Sequence, residues 1–236
     1  LAEERGVQQQ GLGPNFSWGA YTPAQVSALA GVESPAKVRR WLLGDTMGQA
    51  ALEAFYGTES GVLSFIDLIQ IVALQRIRKH RDVPLPRLRD AMRRAKEEYG
   101  IDFALARRHR LLKFGRELVL ELGEETKQFV QLTGRHRANL LIPKVVEPIL
   151  KQVAYDPRDG RASRWMPMRG AGCAVVLSPE FNMGAPVVSP GNVGVQALCD
   201  VAEGEGSPLR AAVMFGVGVE EVRLAVRFRN RIGKAA

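Results

Sequence analysis

The chain has 236 residues, with 33 lysines and arginines against 25 aspartates and glutamates and a formal charge of +8. That length suits two or three small domains, and a positive balance carried mostly by arginine points to phosphate and base-edge contacts, so nucleic acid is the first partner expected. No apolar run approaches the ~20 residues of a spanning helix, the opening Leu-Ala-Glu-Glu-Arg is not a signal sequence, and Cys173 and Cys199 lack metal-ligand spacing; a cytoplasmic protein with reduced core thiols and no membrane partner is expected.

Residues 1–19, rich in Gln, Gly and Ser, read as a flexible leader. From Tyr21 to Leu43 the pattern is that of a helix-turn-helix. Thr22 is placed to cap a helix that Pro23 opens, with Val26, Leu29 and Ala30 on its inner face. Gly31 supplies the positive φ of a tight turn, and Ser34 caps a second helix with Pro35 just inside it. Val38, Trp41 and Leu42 then face the core, leaving Lys37, Arg39 and Arg40 outward, where a recognition helix meets DNA.

The small-residue stretch from Gly44 to Gly61 has room for one short helix around Ala50 to Tyr56. Ser64 and Asp67 have capping-box spacing before a stripe of Phe65, Leu68, Ile69, Val72, Ala73 and Ile77. Ile66, Ile71 and Leu74 make that helix apolar on further faces, which suggests a homodimer unless the middle of the chain covers them. The helix ends in Arg76, Arg78, Lys79, His80 and Arg81. A further helix from Pro84 to Gly100 buries Leu85, Leu88, Met92, Ala95 and Tyr99 and carries Arg87, Arg89, Arg93 and Arg94 on its other sides.

Period 2 replaces period 3.6 beyond residue 109. Arg110 to Leu122 reads as two strands around Gly115-Arg116, and Phe129 to Leu132 as a third. Helical spacing returns from Ile142 to Val153, and Asp159-Gly160 is a hairpin turn between Val153-Ala154-Tyr155 and Arg164-Trp165-Met166. Gly170 to Cys173 reads as a linker. Beyond it come strands at Val175–Leu177 and Val187-Val188, then helices at Val195–Ala202, Pro208–Phe215 and Val219–Ile232. Ser207-Pro208 and Gly216-Val217 repeat the opening grammar, so two helix-turn-helix-like units are expected.

The fold expected is mainly α with small β elements (α+β). It comprises a leader (1–19), a helix-turn-helix head (20–115), a middle helix and β-hairpin segment (116–170) and a C-terminal three-helix unit with short strands (171–236).

Catalytic chemistry needs convergent groups, and none is evident. His80, His109 and His136 lie in arginine-rich segments, while Glu97-Glu98 and Glu124-Glu125 are adjacent and point in different directions. Asp156, Asp159 and Asp200 fit turns and helix ends, and Gly204-Glu-Gly-Ser-Pro lacks the P-loop lysine. No enzyme, cofactor or metal site is expected.

Tyr21-Thr-Pro, Val38-Arg-Arg-Trp-Leu and Leu63-Ser-Phe-Ile-Asp-Leu together resemble the MerR-like winged DNA-binding heads of bacterial regulators. The stretch from Val176-Leu-Ser-Pro-Glu-Phe-Asn-Met-Gly-Ala-Pro-Val-Val through Ala202-Glu-Gly, Phe215-Gly-Val and Glu221-Val-Arg-Leu-Ala-Val-Arg-Phe resembles the small helical domain common in VapB-type antitoxins. Where that pattern continues with Gly-Thr-Arg, this chain has Ser189-Pro-Gly-Asn. The combined resemblance implies a type II antitoxin and autorepressor that binds operator DNA and a PIN-like ribonuclease toxin. Its DNA-binding residues would be Thr22, Ser34, Lys37, Arg39, Arg40, Arg76, Arg78 and Lys79, and its toxin-binding residues Arg223, Arg227, Arg229 and Arg231. The alternative is a stand-alone MerR-like regulator sensing a small ligand; an RNA-binding or structural adaptor is a third reading, against which stands an aromatic content of 7%.

Overall fold

Thr22 and Ser34 each open a helix through the same local chemistry. The Thr22 hydroxyl accepts from the Gln25 N–H while the Gln25 side chain accepts from the Thr22 N–H, closing a capping box on α1 (Pro23–Ala30). Ser34 accepts from the Lys37 N–H at the start of α2 (Pro35–Leu43). Between them Gly31 takes φ +63°, so the two helices meet in one tight turn. The structure, a computed structural model, describes residues 18–44, 50–79, 84–107, 110–114, 117–122, 128–131 and 151–233. The leader as far as residue 17, the three histidines, Glu124-Glu125 and the helix expected from Ile142 to Leu150 lie outside the described residues.

The central element is α3 (Phe65–Lys79), buried around nearly its whole circumference. Its capping box is present: Asp67 accepts from the Ser64 N–H at 2.8 Å, and Ser64 accepts from the Asp67 N–H at 3.1 Å. α1 and α2 pack on one side of α3, and a 3₁₀ turn at Ala104–Ala106 on another. Ile66, Ile71 and Leu74 are all fully buried by the chain itself. The apolar excess of this helix is therefore met internally and calls for no second copy. α4 (Leu85–Tyr99) ends at Gly100, again left-handed.

Residues 50–56 form bends and turns instead of the expected short helix. The reason is competition for the backbone: the N–H groups of Ala51 and Leu52 both donate to the Trp41 carbonyl, and the Phe55 N–H donates to Asp67. The segment returns to α1 through a two-bond bridge between Tyr21 and Leu63.

The described residues form two antiparallel sheets. β1 (Arg110–Phe114), β2 (Glu117–Leu122) and β3 (Gln128–Gln131) pair in that order, with Leu111 opposite Leu120 and Leu120 opposite Val130. The larger sheet runs β4 (Val153–Tyr155), β5 (Ala162–Arg169), β6 (Ala174–Leu177), β7 (Val187–Ser189) and β8 (Val193–Gly194). Val153 lies opposite Trp165 in this sheet, so it is a strand residue and not the end of a helix.

Gly170 to Cys173 is not a linker. It is the turn joining β5 to β6: Arg169 pairs with Ala174, and the Gly170 N–H donates to the Cys173 carbonyl at 2.8 Å. A side chain at Gly170 would meet the Cys173 sulfur and Leu224, so the turn is packed as well as hydrogen-bonded. The reason is pairing at long range, which a small-residue stretch does not reveal.

Three helices follow: α5 (Val195–Gly204), α6 (Pro208–Phe215) and α7 (Val219–Gly233). The repeat of the opening grammar is real at the level of caps. Ser207 accepts from the Arg210 N–H and Gly216 takes φ +64°, as Thr22 and Gly31 do around α1. The buried side chains from Tyr21 to Phe228 make one contiguous core. Seven helices with antiparallel sheets among the described residues make the chain α+β. No helix among those residues is long and apolar enough to cross a membrane, and both cysteines are buried and unbridged.

Candidate nucleic-acid interface

The α1–α2 turn is fixed from below by two buried polar side chains. Ser27 donates to the Val32 carbonyl at 2.9 Å, and Gln75 reaches across from α3 to donate to the Gly31 carbonyl at 2.8 Å. Buried polar groups persist where they are paired, and here the pairs hold the turn's geometry. Neither residue is conspicuous in the sequence, where both read as polar interruptions of an apolar face.

α2 is set by Val38, Trp41 and Leu42, all at most 1% exposed. Arg39 and Arg40 consequently project outward, exposed and without a carboxylate partner among the described residues. Lys37 differs from the outward position expected of it: it is half-buried, 3.2 Å from Glu33, with its ammonium 5.4 Å from the Trp41 ring centroid. Thr22 and Ser34 commit their hydroxyls to the helix caps.

At the end of α3, Arg76 and Lys79 are exposed and Arg78 half-buried. Since Gln75 touches the Gly31 carbonyl, this basic end lies beside the α1–α2 turn. The basic face of α4, by contrast, is neutralised locally: Arg93 pairs with Glu97 at 2.8 Å, Arg94 with Glu98 at 2.9 Å, and Lys96 with Glu53 at 2.7 Å.

The four arginines of α7 do not form one surface. Arg223 pairs with Glu220 at 2.5 Å. Arg229 turns toward α5, 3.3 Å from Asp200 and bonded to Glu203. Arg231 donates to the Pro167 carbonyl at 3.2 Å, and of the four Arg227 alone is exposed with no partner among the described residues. The exposed apolar side chains of this unit lie instead on α6, where Leu209, Val213 and Met214 are 62%, 76% and 64% exposed.

A cleft of about 720 Å³ separates α1 from α5 and α7. Leu29, Met183 and Ile232 contribute apolar wall; Gln25, Gln196 and the Asp200–Arg229 pair supply polar groups. The Tyr21 hydroxyl closes one side by donating to the Gly184 carbonyl at 2.6 Å. The lining comes from both ends of the chain, which is why no local motif announces it. Among the described residues no group of three His, Cys, Asp or Glu is arranged to hold a metal.

No protein-family model and no curated protein matches the chain. Among solved structures it is similar to the X-ray crystal structure of Rv2018 from Mycobacterium tuberculosis, at 20% identity and a TM-score of 0.60, over 87% of this chain and 96% of that one. At that identity the likeness is one of fold, extending over nearly the whole of both chains.

Proposed function

We propose that the chain binds double-stranded operator DNA through a winged helix-turn-helix head in which α2 is the recognition helix, and that it serves as the antitoxin and autorepressor of a type II pair whose toxin is a PIN-like ribonuclease. The observation that carries the DNA half is the exposure of Arg39 and Arg40, unpaired among the described residues, on the second helix of a capped and internally braced turn. Guanidinium groups left free in this way suit base edges and phosphates. Because operators are read as paired half-sites, the DNA-bound form is a homodimer. Selecting bound duplexes from a random pool tests this: one enriched sequence, with a two-fold repeat, supports it, and retention without enrichment contradicts it.

The toxin half rests on the resemblance of the C-terminal stretch and on the apolar row of Leu209, Val213 and Met214, a surface suited to a protein partner. If the gene beside this one encodes a PIN-like nuclease, adding this chain should suppress its ribonuclease activity, and Val213→Glu should relieve the suppression.

A second function, a stand-alone regulator sensing a small ligand, is favoured by the cleft beside α1. Protein refolded from denaturant and freed of small molecules separates the two. A sensor changes its DNA affinity relative to protein as purified, whereas an antitoxin does not.

A further inference from the structure

Two arginines that the sequence assigns to different partners meet on one surface. Arg76 lies in the last turn of α3 and Arg231 in the last turn of α7. Both helices pack against β5, and Arg231 is anchored to that strand through the Pro167 carbonyl at 3.2 Å. Its guanidinium also stands 5.1 Å from the Phe228 ring centroid, which restricts its swing. Partial burial, and then the charge of Arg76, hold the Arg231 guanidinium below its ordinary range, so the two groups lie within each other's field. Neither has a carboxylate partner among the described residues.

Taken singly, each cation is explained by the negative end of its own helix. Their convergence is not, because like charges at close range repel. Here α3 is rigidly buried and Arg231 is pinned, so the pair cannot simply separate. An anion between them removes the repulsion, and the planar donor forks of two arginines match the oxygens of a phosphate. The position selects the source of that phosphate. Gln75, the neighbour of Arg76, holds the carbonyl of the α1–α2 turn, and in helix-turn-helix complexes backbone contacts flank the base-reading helix.

We infer that Arg76 and Arg231 jointly hold one backbone phosphate of the duplex that α2 reads, so that the C-terminal unit grips DNA together with the head. This rests on the DNA-binding function proposed above. It also assigns Arg231 to DNA and not to a toxin.

The test is fluorescence anisotropy of the full chain on labelled duplex across a potassium chloride series, using wild type, Arg76→Ala, Arg231→Ala, the double variant and Arg231→Lys. Each alanine variant should weaken binding several-fold on every duplex sequence and flatten the slope of log affinity against log salt by about 0.9, the contribution of one phosphate. The double variant should lose little more than either single one, because the phosphate is shared, and Arg231→Lys should recover part of the loss. Arg76 has no intramolecular partner among the described residues, so Arg76→Ala keeps the test valid if Arg231→Ala fails to fold. Unchanged affinity and slope in Arg76→Ala, with Arg39→Ala still impaired, overturns the pair and leaves the DNA-binding function standing. A loss seen only on RNA also overturns it. Failure of wild type to bind any duplex overturns both.

Discussion

The Tyr21 hydroxyl donates a 2.6 Å hydrogen bond to the Gly184 carbonyl, tying the start of the first helix pair to the loop that leads into β7. Gly184 holds φ +90°, and a Cβ there would fall 2.2 Å from the Tyr21 oxygen, so the contact fixes the identity of both residues. Tyr21→Phe leaves the carbonyl unpaired in a buried place and should cost about 1–3 kcal/mol in urea unfolding. Gly184→Ala should cost more, since it adds steric overlap and a strained φ. If Tyr21→Phe has no measurable cost, the joint carries no stability.

Alkaline pH should destabilise the fold through buried groups that titrate late. Burial, reinforced by Tyr56, pushes the Tyr21 phenol well above its ordinary range; burial alone does the same for Tyr155, and burial first of all raises the Cys173 and Cys199 thiols. The native state therefore keeps these protons after the unfolded chain has lost them. The stabilisation they give is complete below the unfolded values and is lost as pH rises toward the folded ones. Unfolding midpoints should fall from about pH 8.5, the thiol range, and more steeply above about pH 10, where each phenol adds at most about 1.4 kcal/mol per pH unit. Tyr21→Phe should flatten the upper part of that profile, and an unaltered slope contradicts the assignment.

Asp67 is a buried carboxylate that organises three chain segments. It accepts from the Ser64 N–H and hydroxyl, both at 2.8 Å, from the Phe55 N–H at 3.0 Å and from Gln70. Asp67→Ala strands the N–H groups of Ser64 and Phe55 and should cost about 2 kcal/mol or more, seen as a lowered unfolding midpoint. An effect below about 0.5 kcal/mol would place it with ordinary surface substitutions.

Dividing the chain after Gly172 should give fragments that do not fold. The cut separates β5 from β6, exposes the long edge of β5 and removes the sheet partners of Trp165 and Met168. Circular dichroism and size-exclusion chromatography of residues 1–172 should show loss of native structure or aggregation. A folded, monodisperse fragment would mean that the sheet is dispensable to the head.

Features set by a few neighbouring residues are legible in the sequence. Thr22-Pro23, Ser34-Pro35 and Ser207-Pro208 open helices where their chemistry demands, and Gly31, Gly100 and Gly216 close them in the left-handed conformation. Features that depend on distant partners are not. Gly170 to Cys173 becomes a turn because Arg169 finds Ala174, and Ala51 and Leu52 fail to enter a helix because Trp41 offers its carbonyl. The basic stripe of α7 dissolves for the same reason: Asp200 and Glu203 reach Arg229 from α5, and Pro167 holds Arg231 from β5. At α2 both kinds of information agree for Arg39 and Arg40, and differ for Lys37, whose neighbour Glu33 withdraws it.

The most direct measurement is equilibrium binding of wild type and of the Arg39→Ala/Arg40→Ala variant to the enriched duplex, alongside their thermal unfolding. Both side chains are exposed and unpaired among the described residues, so removing them should leave the melting temperature nearly unchanged. Binding should weaken by about 1–3 kcal/mol for each base edge that the missing guanidinium groups no longer read. Unchanged affinity in a folded variant would contradict the assignment of α2 as the helix that reads DNA.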